Sequence, residues 1–521
     1  MTEIKQLTRP VSKIDLWIAV LVWLIAFSLY VRTLAPSLLW DDSAEFQTLS
    51  YTLGMTHSTG YMTYILIGKL FTLIPVGNIA YRVNLMSAFF GALAVAQIFL
   101  IVRVLGSQRT AALTASLLLG LTEGFWRRAV IAELYAPAAS MIASIWLFIL
   151  LWNRSGKWGY LFAAGMLGGL SVGIHGTIVM TAASVLIYMA ISARTKSAWL
   201  GAAAGALLGL ALTTTAFLFV DANDPPSSIY NTVYRPSLSV YGLTASDFDT
   251  PFERLFAIFP ASHFWTNYFT ATPEIMRARL AEYVLFFPWW EAGLIVAGMA
   301  AVFFHSRWYD GLYPVVAFLL IWGLGVTVAF SSYQDFYAVS MIFVSVWLGL
   351  GASTLLDGLD ALVKWKPARN RMMRTVILSA ASLTLILLPI WNARMDVRLA
   401  IEKGYTSFIL RDHLYPILAP DSAIRNARII LKHVETNAIL FSTWDKLYSF
   451  IYTAEIAMGR ADVNFHEADP SDSGHLSESV LAYIDANIDT RPIYFTVMLD
   501  ELNELYLVEQ IEDSLYRIRR Q

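Results

Sequence analysis

Cysteine is absent from all 521 residues of this chain. Its absence excludes disulfide bonds, thiolate metal sites and cysteine nucleophiles, but it says little about the redox compartment. Charge is also scarce, because Asp, Glu, Lys and Arg make up 15% of the residues, compared with about a quarter in soluble domains. The net charge of -2 does not provide the basic field that nucleic-acid binding needs, so no nucleic-acid partner is predicted.

Long apolar runs are abundant, and 57% of the residues are hydrophobic. About eleven stretches of about 15 to 25 residues are long enough to cross a membrane. The first, 14–31, follows Lys5, Arg9 and Lys13 and has no clear small-residue cleavage site, which predicts an uncleaved helix with a cytoplasmic N-terminus. The others are 83–105, 110–126, 137–151, 158–172, 177–193, 198–220, 283–304, 311–330, 338–362 and 375–390. The sequence therefore predicts a polytopic α-helical membrane protein.

The connecting loops divide by charge. Starting from a cytoplasmic N-terminus, the loops on the cytoplasmic side are all basic, as short cytoplasmic loops should be. They read RVLGSQR, NRSGK, ARTK, HSR and KWKPARNRMMR. The opposite side receives 40–64, 127–136, the turn at His175, 221–277, 331–337 and everything after 391. We therefore expect the most polar loops and the C-terminal region to share one non-cytoplasmic compartment.

Three carboxylates, Asp41, Asp42 and Glu45, lie within five residues of each other in the first of these loops. One interpretation is a capping box, in which Asp42 is the N-cap, Glu45 reaches back to it and Gly54 ends the helix. That role leaves Asp41 unexplained. The other interpretation is catalytic, because residues at i and i+3 share a helix face and would point into one space. The two roles are compatible.

Other polar residues on the same side are candidates for substrate binding. Arg82 and Asn84 stand at the start of the second span, where an arginine is most often an interfacial anchor but also suits a phosphate. Glu133 follows Arg127 and Arg128 and either forms an ion pair with one of them or lines the same cavity as Asp42.

His175 interrupts an apolar run at the end of a span, where a lone histidine is more often hydrogen-bonded than a ligand. No spacing of His, Asp and Glu resembles a protein-built metal site of known type. No cofactor is predicted with certainty, and a divalent metal is permitted but unsupported by the sequence.

Two regions outside the spans have their own character. The loop 221–277 is long, and its aromatic-rich second part predicts an amphipathic helix in the membrane interface, either as an aromatic anchor or facing a lipid-linked substrate. After 391 the hydropathy falls, and helical patterns at 397–410, 424–434 and 448–458 alternate with the strand-like runs NAILFST, ADVNFHE and RPIYFTV. We predict a membrane domain over 1–392 and a soluble α/β domain over 393–521.

The first polar loop, 32–82, carries a family resemblance. It is similar to the signature of the protein O-mannosyltransferase-like family of GT-C membrane glycosyltransferases, which reads W-G-D-S-G-E-F, then H-P-P-G-Y-P-L-Y, then P-x-G-N-x-x-x-R-x-N. The matching residues are Trp40, Asp42, Ser43, Glu45, Phe46, His57, Gly60, Tyr61, Tyr64, Pro75, Gly77, Asn78, Arg82 and Asn84. The later AELYA resembles the family's A-E-V-Y-A and places Glu133 and Tyr135, and NAILFSTWDKLYSFIY and RPIYFTV resemble its tail domain. Asp41 stands where the family has its first glycine.

The resemblance implies an inverting transfer of a sugar, with mannose as a candidate, from a polyprenyl-phosphate donor to a hydroxyl of a protein acceptor. The sequence leaves open whether Asp41 or Asp42 is the base. Asp42 is our choice, with Glu45 and Glu133 orienting the acceptor or raising the pKa of the base. The substrate-binding residues would be His57, Tyr61, Tyr64, Arg82, Asn84, Arg127, Arg128, Tyr135 and His175, with Lys69 a weaker phosphate ligand. The expected partners are the lipid-linked sugar, a protein or lipid acceptor, and membrane lipids.

Two other function classes fit part of the pattern. A polytopic transporter of a lipid-linked or polar solute would place its ionisable residues near the membrane midplane, whereas most of these lie in loops. A non-catalytic scaffold would have no need for the acids. The lack of cysteine and of retention signals favours a bacterial inner membrane, with the site and the C-terminal domain on the periplasmic or extracellular side.

Overall fold

The computed structural model describes residues 11–259, 268–305, 308–328, 334–364, 371–402, 420–471 and 473–521. Helices dominate as far as residue 402. Their bounds are α1 Lys13–Arg32, α2 Asp41–Thr52, α3 Met62–Thr72, α4 Ile79–Val104, α5 Arg109–Leu121, α6 Glu123–Ala129, α7 Tyr135–Ser155, α8 Gly159–Ser171, α9 Gly176–Ser192, α10 Lys196–Asn223, α11 Pro251–Ile258, α12 Pro273–Leu285, α13 Trp289–His305, α14 Trp308–Thr327, α15 Gln334–Lys364 and α16 Arg371–Glu402.

Seven of the described helices, α1, α4, α7, α10, α14, α15 and α16, are long and apolar enough to cross a membrane. The pair α12 and α13, bent by 97°, would be an eighth span. The predicted spans at 110–126, 158–172 and 177–193 are the shorter apolar helices α5, α8 and α9, of 13, 13 and 17 residues. At about 1.5 Å per residue, 13 residues reach about 20 Å, less than the roughly 30 Å of a hydrocarbon core. The structure therefore has up to eight helices of spanning length among the described residues, compared with the eleven predicted segments.

Small residues bring membrane helices into close contact. Gly205 on α10 faces the carbonyl of Phe162 on α8 so closely that a Cβ atom would collide with it. Gly351 on α15 meets the carbonyl of Leu294 on α13 in the same way. Membrane helices gain little from the hydrophobic effect when they associate, because the lipid is also apolar. Close packing of their backbones at small residues stabilises the contact instead.

A buried ion cluster joins the first helices at the end predicted to be cytoplasmic. Asp15 of α1 is fully buried and accepts hydrogen bonds from Arg103 Nε at 3.1 Å and Arg109 Nε at 2.8 Å. The two arginines belong to the basic run RVLGSQR. A carboxylate with two guanidinium partners avoids the cost of an isolated buried charge, so this cluster fixes α1 against α4 and α5.

The region after residue 420 contains a five-stranded sheet. Its elements are α17 Ser422–Leu431, β1 Ile439–Ser442, α18 Trp444–Ile451, β2 Asn464–Glu467, α19 Glu478–Asn487, β3 Ile493–Phe495, α20 Asp500–Leu505, β4 Tyr506–Glu512 and β5 Leu515–Arg520. The strand order is β2-β1-β3-β5-β4, with β1 parallel to both neighbours and β5 antiparallel to β3 and β4. The three predicted strands are β1, β2 and β3, which confirms a small α/β sheet domain.

The predicted domain boundary after residue 392 falls inside α16, which continues to Glu402. The boundary itself stays a prediction. Of the predicted helix 397–410, the part beyond 402 lies outside the described residues. In the loop after α10, short turns of π and 3-10 helix at Tyr230–Tyr234 and Arg235–Tyr241 precede α11. On α11, Phe252 and Phe256 are about 70% exposed, as an interfacial helix requires, although its membrane contact stays a prediction.

One hydrophobic core spans the junction between the two regions. Phe46 of α2 and Val83 of α4 belong to the same buried cluster as Leu440 of β1 and Leu447 of α18. The C-terminal sheet domain is therefore packed directly on the first polar loop, where the candidate acids lie.

Candidate active site

The first turn of α2 is built differently from the predicted capping box. The helix begins at Asp41, whose φ of 57° is left-handed, and Trp40 is the N-cap without a side-chain cap bond. The capping-box prediction for Asp42 and Glu45 is therefore wrong, because Glu45 bonds to His57 instead. The helix ends at Thr52, and the C-cap residue Leu53 takes the left-handed conformation expected of Gly54. The left-handed backbone at Asp41 explains why glycine suits this position of the motif.

Glu45 and His57 form a closed pair. The Glu45 side chain is fully buried and accepts the backbone N–H of His57 at 2.7 Å, and its other oxygen lies 2.6 Å from His57 Nδ1. Burial raises the pKa of Glu45, and the charge of His57 opposes that rise. Burial alone would lower the pKa of His57, but Glu45 and Asp42 outweigh it and raise that pKa to about 9. At neutral pH the imidazolium therefore neutralises a buried carboxylate.

Asp42 is half-buried, and its carboxylate receives a hydrogen bond from the C-terminal domain. Trp444 Nε1 donates to Asp42 Oδ1 at 2.9 Å. The Trp444 ring also packs edge-on against His57, with 5.5 Å between centroids. Trp444 was not predicted as a site residue, although it lies in the TWDKLY stretch of the tail resemblance. A bond between residues 402 positions apart leaves no trace in local spacing.

Ligand atoms of Asp42, Glu45 and His57 lie within 4.8 Å of one another. Two carboxylate oxygens and one imidazole nitrogen are a donor set suited to a divalent cation such as zinc or manganese. His57 Nδ1 already faces Glu45, so a cation held by all three groups would have to replace that contact. The site thus fits a metal by donor type, which the sequence spacing did not indicate.

A second acidic cluster surrounds Arg128. The guanidinium lies 3.5 Å from Glu133 and forms a closer ion pair with Asp335, and all three side chains are buried. Burial, opposed by Arg128 and reinforced by the charges of Asp42 and Asp335, raises the pKa of Glu133 to about 8. Glu133 thus contacts Arg128, as one interpretation predicted, whereas a cavity shared by Glu133 and Asp42 stays a prediction. Asp335 was missed, since a single Asp in SSYQDFY carries no pattern.

Aromatic rings connect the two clusters. The Tyr61 ring lies 5.1 Å from His57 and 6.2 Å from His175, and the Tyr135 ring lies 5.2 Å from His175. Tyr135 also lies under the Arg128 guanidinium at 5.5 Å, in a cation–π contact. The structure therefore brings Tyr61, Tyr135 and His175 into one wall with His57.

His175 is the N-cap of α9, and its Nδ1 accepts the backbone N–H of Thr177 at 3.3 Å. Burial, and then the charge of His57, lower the pKa of His175 to about 4, so this ring is neutral. Tyr64 is buried with its ring 5.0 Å from Phe46, behind the wall.

Three predicted residues belong to other networks. Arg82 donates to the backbone carbonyls of residues 72, 76 and 77. Asn84 is buried between Gln47 and the carbonyl of residue 35, and Lys69 donates to the carbonyl of residue 51. These side chains hold the chain segments around α3 and α4 together. The structure does not bring them to the two acidic clusters.

Arg127 lines a cavity of about 110 Å³ beside the second cluster. Glu123, Glu282 and Asp335 provide carboxylates in its wall, and Phe286 and Met341 belong to its apolar wall. Among the described residues that line the cavity, three acids thus accompany one arginine.

The helical membrane region, the acid-bearing first loop and the small sheet domain define an integral multi-pass membrane protein with the GT-C fold. Residues 42–199 match the model of the family described as the N-terminal domain of the protein O-mannosyl-transferase TMEM260. The protein O-mannosyl-transferase TMEM260 of Mus musculus is 32% identical over 119 residues, which are 23% of this chain. The match spans only 17% of the mouse protein's length. The family resemblance of the first loop is thereby confirmed.

Solved structures confirm the fold over nearly the whole chain. ArnT from Cupriavidus metallidurans bound to undecaprenyl phosphate has a TM-score of 0.56 and 12% identity, and 97% of each chain is covered. The same protein in the apo state has a TM-score of 0.55 and 12% identity, covering 97% of this chain and 96% of the other. At this level of identity the likeness concerns the fold alone.

Proposed function

We propose that the chain is an inverting glycosyltransferase that moves a sugar, with mannose as the first candidate, from a polyprenyl-phosphate donor to a hydroxyl of a protein acceptor. One observation carries the proposal. A half-buried carboxylate, Asp42, faces a neutralised acid–histidine pair and lies within electrostatic reach of the Glu133–Arg128 cluster. The match of residues 42–199 to a protein O-mannosyl-transferase family model supports the reaction class.

The proposed step needs one base and one stabilised leaving group. Asp42 accepts the proton of the acceptor hydroxyl while the hydroxyl oxygen forms a bond to the anomeric carbon of the sugar. The bond between that carbon and the donor phosphate oxygen breaks on the opposite face, and its electron pair leaves with the polyprenyl phosphate. A positioned general base typically contributes about 10²- to 10⁴-fold.

Arg127 and Arg128 are the proposed phosphate ligands. Guanidinium groups suit a phosphate because their fixed forks of N–H donors match its oxygens. The cavity beside Arg127 has apolar walls at Phe286 and Met341, which would accept the first part of a prenyl chain. The fold neighbour ArnT was solved with undecaprenyl phosphate, a donor carrier of this chemical class. Arg82, tied to three carbonyls elsewhere, is a weaker candidate than the sequence suggested.

The remaining acids position the reacting groups in this proposal. Glu45 fixes His57, whose positive charge faces Asp42. Glu133, with its pKa raised to about 8, is mostly protonated at neutral pH and can donate a hydrogen bond to a sugar or acceptor oxygen. Tyr61, Tyr135 and His175 form the wall against which the sugar ring would lie. A divalent cation held by Asp42, Glu45 and His57 would supply further electrostatic stabilisation of a bound phosphate.

The proposal places the site and the sheet domain on the non-cytoplasmic side of the membrane. The basic loops predicted to be cytoplasmic, such as RVLGSQR, lie at the opposite ends of α4 and α5 from the acids. The packing of the sheet domain on α2 supports a shared side for both. A bacterial inner membrane stays a prediction from the sequence.

Mass spectrometry of exported glycoproteins from cells carrying Asp42→Asn or the wild-type chain tests the proposal. We expect the modified glycopeptides to disappear in the variant at normal protein level. Asp445→Asn, an exposed acid of α18 next to Trp444, is the matched control and should leave them unchanged. Unchanged glycans in Asp42→Asn cells would remove Asp42 as the base.

A further inference from the structure

A basic cleft lies between α17 and the start of α4, apart from the acidic clusters. It has a volume of about 750 Å³, and Arg82, Arg425, Arg428 and Lys432 line it. Among the described residues that line it, Asp421 is the one carboxylate. The proposed transfer reaction assigns no role to Arg425, Arg428 or Lys432, and Arg82 is held by backbone carbonyls away from the two acidic clusters.

The sequence of α17 dedicates one helix face to this cleft. Ala423, Ala427, Ile430 and Leu431 are buried against the sheet domain. Arg425, Arg428 and Lys432 follow at spacings of three and four residues, which puts them on a common exposed face. Like charges at these spacings repel each other, and an anion bound between them would relieve that repulsion.

No carboxylate of the described residues lies within ion-pair distance of Arg425, Arg428 or Lys432. Three other arginines of the sheet domain have acidic partners. Arg517 contacts Glu435, Arg519 contacts Glu509 and Arg520 contacts Asp489. The cleft therefore differs from the β5 surface in grouping basic side chains without carboxylate partners among the described residues.

The other wall of the cleft includes Arg82 and the first residues of α4. Arg82 is bound to the carbonyls of residues 72, 76 and 77, in the segment that leads from α3 into α4. On that segment Leu70, Leu73 and Val76 are 64%, 68% and 41% exposed. Exposed aliphatic side chains beside the first turn of a spanning helix are expected at the boundary between hydrocarbon and headgroups. The cleft thus borders an exposed apolar segment of the kind expected at that boundary.

We propose that this cleft binds the phosphate of an anionic phospholipid from the leaflet facing the sheet domain. Arg425, Arg428 and Lys432 contact the phosphate, and the acyl chains run along Leu70 and Leu73 into the bilayer. Clusters of basic side chains next to membrane spans recognise lipid phosphates in this way. The lipid joins the sheet domain to the membrane at a point separate from the donor cavity. The inference does not depend on the proposed transfer reaction.

Native mass spectrometry of the full-length protein released from nanodiscs tests this assignment. The nanodiscs contain phosphatidylcholine with 30% phosphatidylglycerol as the probe, a composition chosen to offer an anionic phosphate. We expect the wild-type chain to retain phosphatidylglycerol. Arg425→Gln/Arg428→Gln should weaken retention roughly 25-fold, because each basic group near a membrane surface contributes about fivefold. The variant leaves the buried face of α17 intact, and its unfolding temperature in phosphatidylcholine alone checks that it is folded.

Arg519→Gln/Arg520→Gln, which removes the same charge from β5, is the control and should retain the lipid like the wild type. Equal retention by all three proteins would overturn the proposal. A separate arm adds 10 mM inorganic phosphate to protein in pure phosphatidylcholine. If phosphate raises the unfolding temperature as much as phosphatidylglycerol does, and only with Arg425 and Arg428 present, the cleft takes a soluble anion and the lipid assignment is wrong.

Discussion

Trp444 Nε1 donates a hydrogen bond to Asp42 Oδ1 at 2.9 Å, joining the sheet domain to the first polar loop. The bond holds the carboxylate that we propose as the base, and the same indole ring packs on His57. The C-terminal domain thus contributes directly to the site, and its common core with α2 makes the contact rigid.

Trp444→Phe removes this donor and keeps an aromatic ring against His57. A hydrogen bond to a charged group contributes about 1.5 to 3 kcal/mol, so we expect kcat to fall about tenfold to 100-fold with a smaller change in KM. Kinetics with a polyprenyl-phosphate sugar and a peptide acceptor would measure kcat and KM separately. A lower unfolding temperature with an unchanged kcat would indicate a purely structural contact.

Asp41→Gly and Asp42→Asn together decide which aspartate is the base. Asp41 has φ of 57°, and a left-handed residue other than glycine carries a cost of about 1 kcal/mol. We therefore expect Asp41→Gly to raise the unfolding temperature and keep the transfer rate within about threefold of wild type. Asp42→Asn should lower the rate by about 100-fold or more. Loss of transfer in Asp41→Gly with a folded protein would shift the role of base to Asp41.

His57→Ala should destabilise the fold, because it leaves Glu45 buried without its partner. Breaking a buried ion pair in this way costs about 3 to 5 kcal/mol. Adding Glu45→Gln should recover part of the loss, since the double variant no longer buries an uncompensated charge. Thermal unfolding of the single and double variants in nanodiscs would show this. A double variant less stable than His57→Ala would mean that Glu45 has a second stabilising partner.

The same pair predicts a pH dependence. The pKa of His57 is raised to about 9 from its ordinary 6.5, so its pairing stabilises the folded state fully below about pH 6.5 and progressively less as the pH rises through 9. We expect the unfolding temperature of the wild type to fall between pH 7 and 9.5, and the fall to be smaller in the double variant. Parallel curves for the two proteins would contradict the assignment of a charged His57.

Local spacing accounts for part of this site. The separation of three residues between Asp42 and Glu45 predicted that both acids would face one space, and their ligand atoms do meet there. The same spacing also predicted a capping box, which fails because the left-handed backbone at Asp41 starts the helix before Asp42 can cap it. Sequence patterns cannot distinguish a capping box from a shared acidic site, because the role of Glu45 depends on its contact with His57.

Contacts between distant segments account for what was missed. Asp335 joins the site through its ion pair with Arg128, and Trp444 joins it because α18 packs on α2. Arg82 had the residue type and loop position of a phosphate ligand, but three nearby carbonyls bind its guanidinium. Hydropathy predicted eleven spans, of which eight correspond to the seven long apolar helices and the bent pair. The strand-like runs predicted the three parallel strands, whereas β4 and β5 lack long apolar runs and were not predicted.

Glu133→Gln provides the sharpest test of how the acids divide their roles. The pKa of Glu133 is raised to about 8 by burial, so the folded state favours the protonated form. For an acid shifted in this direction, stability is lost as the pH rises from its ordinary pKa of about 4.5 through 8. Gln resembles the protonated acid, so the variant should lose this component of the pH dependence and keep the transfer rate at pH 6.5 within about threefold.

The basic limb of the wild-type pH–rate profile near pH 8 should weaken in Glu133→Gln, and Glu133→Ala should lose activity at every pH. If Glu133→Gln is inactive at pH 6.5 while folded, the ionised carboxylate of Glu133 takes part in proton transfer, and Asp42 cannot be the sole base.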